Sequence, residues 1–101
     1  MKNKLALIVA ALLIAGCTRD YTPESGASGE LIFKAACAEC HNKGIEGVPG
    51  KLFVLDSDKA TPTYIAHKVH AGSLMMPKFP NIKDQDMRAL SAYVLDHSQR
   101  E

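Results

Sequence analysis

The five residues Cys37-Ala38-Glu39-Cys40-His41 constrain this chain more than anything else in its 101 residues. Two thiols three positions apart at a helix end can reach two attachment points on one edge of a flat ring. A histidine directly after them is carried beneath the ring's centre. This is the C-x-x-C-H pattern of a covalently attached c-type haem, in which Cys37 and Cys40 take the vinyl groups and His41 takes the iron. Other uses of C-x-x-C are open on spacing alone. A thioredoxin-like redox pair needs a βαβ context, which the sequence lacks. A zinc site needs two further ligands, which His67 and His70 would have to supply. A plain disulfide fits an oxidising compartment. The attached histidine and the start of the chain favour haem.

That start is Met1-Lys2-Asn3-Lys4, followed by eleven unbroken apolar residues from Leu5 to Ala15. Eleven helical residues rise only ~16 Å, short of a ~30 Å hydrocarbon core. Basic residues before the run and small ones after it indicate a secretory signal rather than a membrane span. A buried N-terminal helix would carry polar residues along one face, and this run has none. Leu13-Ile14-Ala15-Gly16-Cys17 then resembles the lipobox of bacterial lipoproteins, with Ile14 where Leu is commoner. Lipidation of Cys17 also settles the cysteine count, because three is odd for an exported protein and two are already assigned.

The expected organisation is a cleaved signal over residues 1–16, a lipid-anchored flexible tether over 17–28 and one domain over 29–101. Loss of Lys2 and Lys4 turns 12 Lys+Arg against 11 Asp+Glu into 10 against 11, a mature charge near −1. That balance provides no attraction to nucleic acid. The polar, turn-rich stretch Thr18 to Ser28 predicts the tether. The domain has no tryptophan, and a chain this small usually needs a disulfide, metal or cofactor to hold it together.

Three helices are expected and no sheet. The first covers about Gly29 to Glu39 behind a Ser28 N-cap. The second starts at Thr61-Pro62 and stops at Gly72. The third runs from Asp84 to His97, with Met87, Leu90, Val94 and Leu95 at helical spacing. The segments between, 42–59 and 73–83, hold Gly and Pro and read as loops that wrap a large flat cofactor.

Iron held by His41 needs a second axial ligand or an open face. Gly72-Ser73-Leu74-Met75-Met76-Pro77-Lys78-Phe79-Pro80 offers a thioether on a loop stiffened by two prolines. Both Met75 and Met76 qualify. Met76 is chosen because it directly precedes proline. Methionine opposite histidine favours reduced iron and raises the potential.

These residues together resemble the class I cytochrome c family, in its small monohaem bacterial form, over about Gly29 to His97. Gly29 and Phe33 stand before Cys37 at the family's spacing, and Leu90 and Tyr93 match the apolar and aromatic positions of its last helix. The resemblance implies an all-α cytochrome c fold of three to four short helices around one haem. It implies that the N- and C-terminal helices cross, with Gly29 permitting their close approach. Met76-Pro77-x-Phe79 resembles the family's axial-methionine loop, and Pro49 resembles the loop proline whose carbonyl receives the axial histidine's free N–H. Some acceptor for that N–H is expected in any case.

The remaining polar residues suggest surface roles. His67 and His70 share a helix, His97 is expected to be exposed, and Tyr64 reads as packing. Lys34, Lys43, Lys51, Lys68, Lys78 and Lys83 are scattered, and some could guide an acidic partner. The function expected is that of an exported, membrane-tethered one-electron carrier that meets donor and acceptor proteins and is not itself an enzyme. The alternatives are a haem enzyme or gas sensor with a displaceable sixth ligand, and an electron-entry subunit of a larger oxidoreductase.

Overall fold

Ser28 starts the first helix as its sequence position predicts, its hydroxyl accepting the Leu31 N–H at 3.1 Å. The computed structural model describes residues 19–101, so the export segment and Cys17 lie outside the described residues. Helix α1 spans Gly29–Ala36 and buries Ile32 and Phe33. It ends three residues before the expected Glu39. Cys37 turns out of the helix at φ −116°, and the N–H groups of Cys40 and His41 both go to the Cys37 carbonyl, at 3.2 and 2.9 Å. The attachment pentapeptide is therefore a run of turns hung on the helix end.

Helix α2, Pro62–Ala71, has the predicted ends. The Thr61 hydroxyl accepts the Tyr64 N–H at 3.1 Å, Pro62 occupies the first turn, and Gly72 closes the helix at φ 65°. Helix α3, Asp84–Asp96, buries Met87, Leu90, Ser91 and Val94. Asp84 and Asp86 sit at its positive end, in place of a side-chain cap from Lys83.

The three helices meet in one core in which Ile32, Ile82 and Leu90 are fully buried. The tightest contact is the crossing of α1 over α3. A Cβ built on Gly29 would overlap the Ala89 carbonyl and come within 2.9 Å of the Tyr93 Cβ. Only a hydrogen fits there. One turn on, the buried Phe33 ring packs on Tyr93 at 5.1 Å and stands edge-on to Phe53 at 6.0 Å.

Beyond the early end of α1, the structure departs from the sequence reading in the sheet, in His97 and in the tether. The fold is not purely helical, because β1 (Phe53–Leu55) and β2 (Ser98–Arg100) form a two-stranded parallel sheet. Three-residue strands are too short for an alternating pattern to show. Their pairing follows from where α3 ends: the His97 carbonyl accepts from Leu52 and Phe53, at 2.7 and 3.3 Å, and the Glu101 N–H reaches the Leu55 carbonyl at 3.0 Å. His97, expected in solvent, is half-buried, stacked on Tyr93 at 4.1 Å with its Nδ1 at 2.8 Å from the Tyr93 carbonyl.

The last departure concerns the stretch read as a tether. The Arg19 N–H donates to the Lys78 carbonyl at 2.8 Å, and the Asp20 carbonyl accepts from Asn81 Nδ2 at 3.0 Å. Tyr21 is half-buried against the core and Pro23 is buried. Turn-rich composition signals irregular backbone, which is what this segment has, but irregular backbone can still be fixed in place. Among the described residues, no helix is long and apolar enough to cross a membrane.

The helix crossing makes a direct prediction. Gly29→Ala in the haem-loaded protein should cost about 1–3 kcal/mol through overpacking, a fall in Tm on the order of 10 °C for a domain this small. Gly44→Ala, whose Cβ would meet nothing closer than the Lys51 carbonyl at 3.5 Å, should be nearly neutral. Equal melting temperatures for the two variants would contradict the crossing.

Candidate functional site: a cofactor cavity between the first helix and the methionine loop

The turns after α1 bring Cys37, Cys40 and His41 to the wall of a cavity of about 840 Å³. That volume lies within the ~300–1,000 Å³ of cofactor sites. The segment between α2 and α3 supplies further wall, including Met75, Met76, Pro77 and Phe79. The cavity thus gathers two thiols, an imidazole and two thioethers, soft donors of the kind iron in a porphyrin takes. A flat macrocycle is compatible with walls that come from separate stretches of chain.

Cys37 is half-buried and Cys40 exposed, and both are free thiols. Burial, with a smaller contribution from Cys40, pushes the Cys37 thiol up to about 11. The free Cys37 thiol is therefore a neutral S–H at neutral pH. His41 is half-buried, with its ring 5.0 Å from Phe53. The unforeseen sheet so acquires a purpose: β2 holds β1, and β1 sets Phe53 between the imidazole and Phe33.

The methionine loop is fixed at both ends. Gly72 has φ 65° and ψ −164°, a conformation that is essentially glycine's alone. A Cβ there would come within 2.7 Å of the Met76 carbonyl. That carbonyl accepts from the Ser73 N–H at 2.9 Å, and the Phe79 N–H reaches Val69 at 3.0 Å, with the Phe79 ring buried. The two methionines differ in setting. Met75 is 90% exposed, whereas Met76 is half-buried and packed against the core.

Of the other sequence candidates, Lys68 lines the cavity and the rest fall outside it. Pro49 is exposed in the turn between Ile45 and Lys51 and does not line it. His67 and His70 are exposed and do not line it either; His70 Nε2 lies 2.7 Å from the Ile82 carbonyl. Among the described residues no group of three or more His, Cys, Asp or Glu converges as a metal site, so the zinc alternative has no ligand set. Tyr64 packs against the core. Of the scattered lysines, Lys51 is engaged in donating to the Asp96 carbonyl at 2.8 Å, where it covers the end of α3, and Lys34 pairs with Glu30. Sequence reasoning missed Arg19, Asp20 and Tyr21 on the cavity wall. A lone tyrosine in an otherwise polar stretch was the available signal.

The comparisons with known proteins agree with this geometry. Residues 24–94 match the family model described as cytochrome c oxidase, cbb3-type, subunit III. Cytochrome c6 of Cyanidioschyzon merolae is 30% identical, the alignment covering 99% of this chain and 98% of that protein. Cytochrome c6 of a Synechocystis strain is 34% identical over 73% of this chain and 67% of that one. Photosystem II extrinsic protein V of Gracilaria tenuistipitata is 27% identical over 80% and 65%. No solved structure matches the chain significantly. With the attachment pentapeptide opening onto a cavity of cofactor size, the chain belongs to the class I cytochrome c family and carries one covalently bound haem c.

Proposed function

We propose that the chain is an exported one-electron carrier, with Cys37 and Cys40 in thioether bonds to the haem and with His41 and Met76 as axial ligands. The observation that carries this reading is that the half-buried Met76 borders the same cavity as His41. A thioether opposite an imidazole stabilises ferrous iron and raises the potential. Two protein ligands also leave no coordination position for a substrate, so the haem supplies one-electron chemistry and the chain supplies ligation, burial and docking. The open-face alternative looked to His67 and His70 for its distal residues, and neither lines the cavity. The role of Pro49 as acceptor for the His41 N–H remains part of the proposal on resemblance alone.

A second reading has its own support. The matching family model is named for a subunit of a cbb3-type oxidase, and the same residues would serve as the electron-entry module of a larger complex. Co-migration of the haem with a large assembly in mild detergent would favour that role over a free shuttle.

The proposal includes a lipid on Cys17. Acyl chains contribute about 0.8 kcal/mol per buried methylene, so a multiply acylated cysteine rarely leaves the bilayer. Because Arg19 is bonded to Lys78, the proposed lipid site lies two residues before a fixed point of the domain. Two extended residues reach only ~7 Å. The domain is then held close to the bilayer rather than swung on a long arm, and confinement alone raises its encounter rate with membrane partners.

Two outcomes test these assignments. Met76→Ala should retain the haem and lower the midpoint potential by on the order of 100 mV, a modest part of the ~0.8 V over which axial ligands tune haem. An unchanged potential moves the ligand elsewhere, with Met75 next in line. Cys17→Ser should move the protein from the membrane to the soluble fraction on carbonate washing, and continued pelleting would refute the anchor.

A further inference from the structure

The segment 19–23 has no part in the attachment chemistry, yet it is fixed across the rim of the cofactor cavity. Three independent contacts hold it. The Arg19 N–H is bonded to the Lys78 carbonyl at 2.8 Å, the Asp20 carbonyl takes Asn81 Nδ2 at 3.0 Å, and Tyr21 is packed half-buried against the core. Lys78 and Asn81 flank Phe79-Pro80, and Lys78 follows Met76-Pro77 directly. Arg19, Asp20 and Tyr21 border the same cavity as Met76.

The methionine loop has its own internal restraints, from Ser73 to the Met76 carbonyl and from Phe79 to Val69. Both act from the core side or from within the loop. The contacts from 19–21 are the ones that reach the loop from the chain's N-terminal segment, and they act on the residues just after Met76. A ligand on a loop is held to iron only as firmly as the loop itself is held, because displacement requires the loop to move away. Each hydrogen bond that must break opposes that movement, and moving Tyr21 exposes aromatic surface as well.

We propose that residues 19–23 form a clasp on the methionine loop, in which Tyr21 and the Asp20–Asn81 bond are positioning elements that keep the Met76 sulfur on the iron. The clasp rests on the reading of Met76 as axial ligand. It also places Arg19, where the described residues begin, directly beside the methionine loop.

The experiment is a titration of the ferric, haem-loaded, full-length protein with imidazole, following replacement of the methionine–iron charge-transfer band. Tyr21→Ala and Asn81→Ala should each tighten apparent imidazole binding about five- to ten-fold, the factor that ~1 kcal/mol provides. Tyr21→Phe, which keeps the ring, should behave as wild type. Thermal unfolding of the same samples separates clasp from general stability. The control is Leu95→Ala, which trims a half-buried side chain at the far end of α3 and should lower Tm without tightening imidazole binding. Unchanged imidazole affinity in both Tyr21→Ala and Asn81→Ala would overturn the clasp, and so would a control that tightens binding as much as they do. A wild-type protein lacking the methionine–iron band would overturn the Met76 reading first and the clasp with it, so the two failures are distinguishable.

Discussion

The backbone contact between Gly29 and Ala89 is the constraint on which the rest depends. It lets α1 lie on α3 where Gly29 has no side chain to hold the two backbones apart. From that crossing, Phe33 falls onto Tyr93 one turn later. Another turn brings the chain to Cys37, where the helix must already have ended for the attachment residues to face the cavity. A core with few large side chains cannot absorb much displacement. The crossing therefore sets where the thiols of Cys37 and Cys40 stand on the cavity wall.

The same economy runs through the second half of the chain. Gly72 ends α2 in a conformation open to glycine, and the Met76 carbonyl occupies the space its side chain would have filled. The C-terminal residues after α3 run beside 53–55 as a parallel strand and fix Phe53 next to His41. So each axial candidate is backed by a different piece of main-chain bonding, His41 through the small sheet and Met76 through the glycine turn. A domain with little hydrophobic core positions its site by hydrogen bonds at the ends of elements.

How much of this was legible in the residues depended on the range of the interaction. The attachment pentapeptide, the caps at Ser28, Thr61 and Gly72, and the helical stripe of α3 are local signals, and they gave three helices with nearly correct ends. The close approach at Gly29 came through family resemblance rather than periodicity. The sheet was missed because three-residue strands carry no pattern and their partner is more than forty residues away. The docking of 19–23 was missed because composition reports flexibility of the unfolded segment, not the presence of acceptors at Lys78 and donors at Asn81. Met76 over Met75 was argued from the neighbouring proline, and the difference in burial between the two gives that choice a physical basis.

Joined together, these elements describe a haem-based electron carrier. Its candidate ligands are on turns, its turns are tied to helix ends, and residues 19–21 line the wall of the site. The central claim is that one covalent haem c is held six-coordinate between His41 and Met76. It is tested most directly by a redox titration of the purified protein with the visible spectrum recorded at each potential. The account predicts a single one-electron transition between two low-spin spectra, insensitive to carbon monoxide. A high-spin spectrum that shifts when carbon monoxide is added would contradict it.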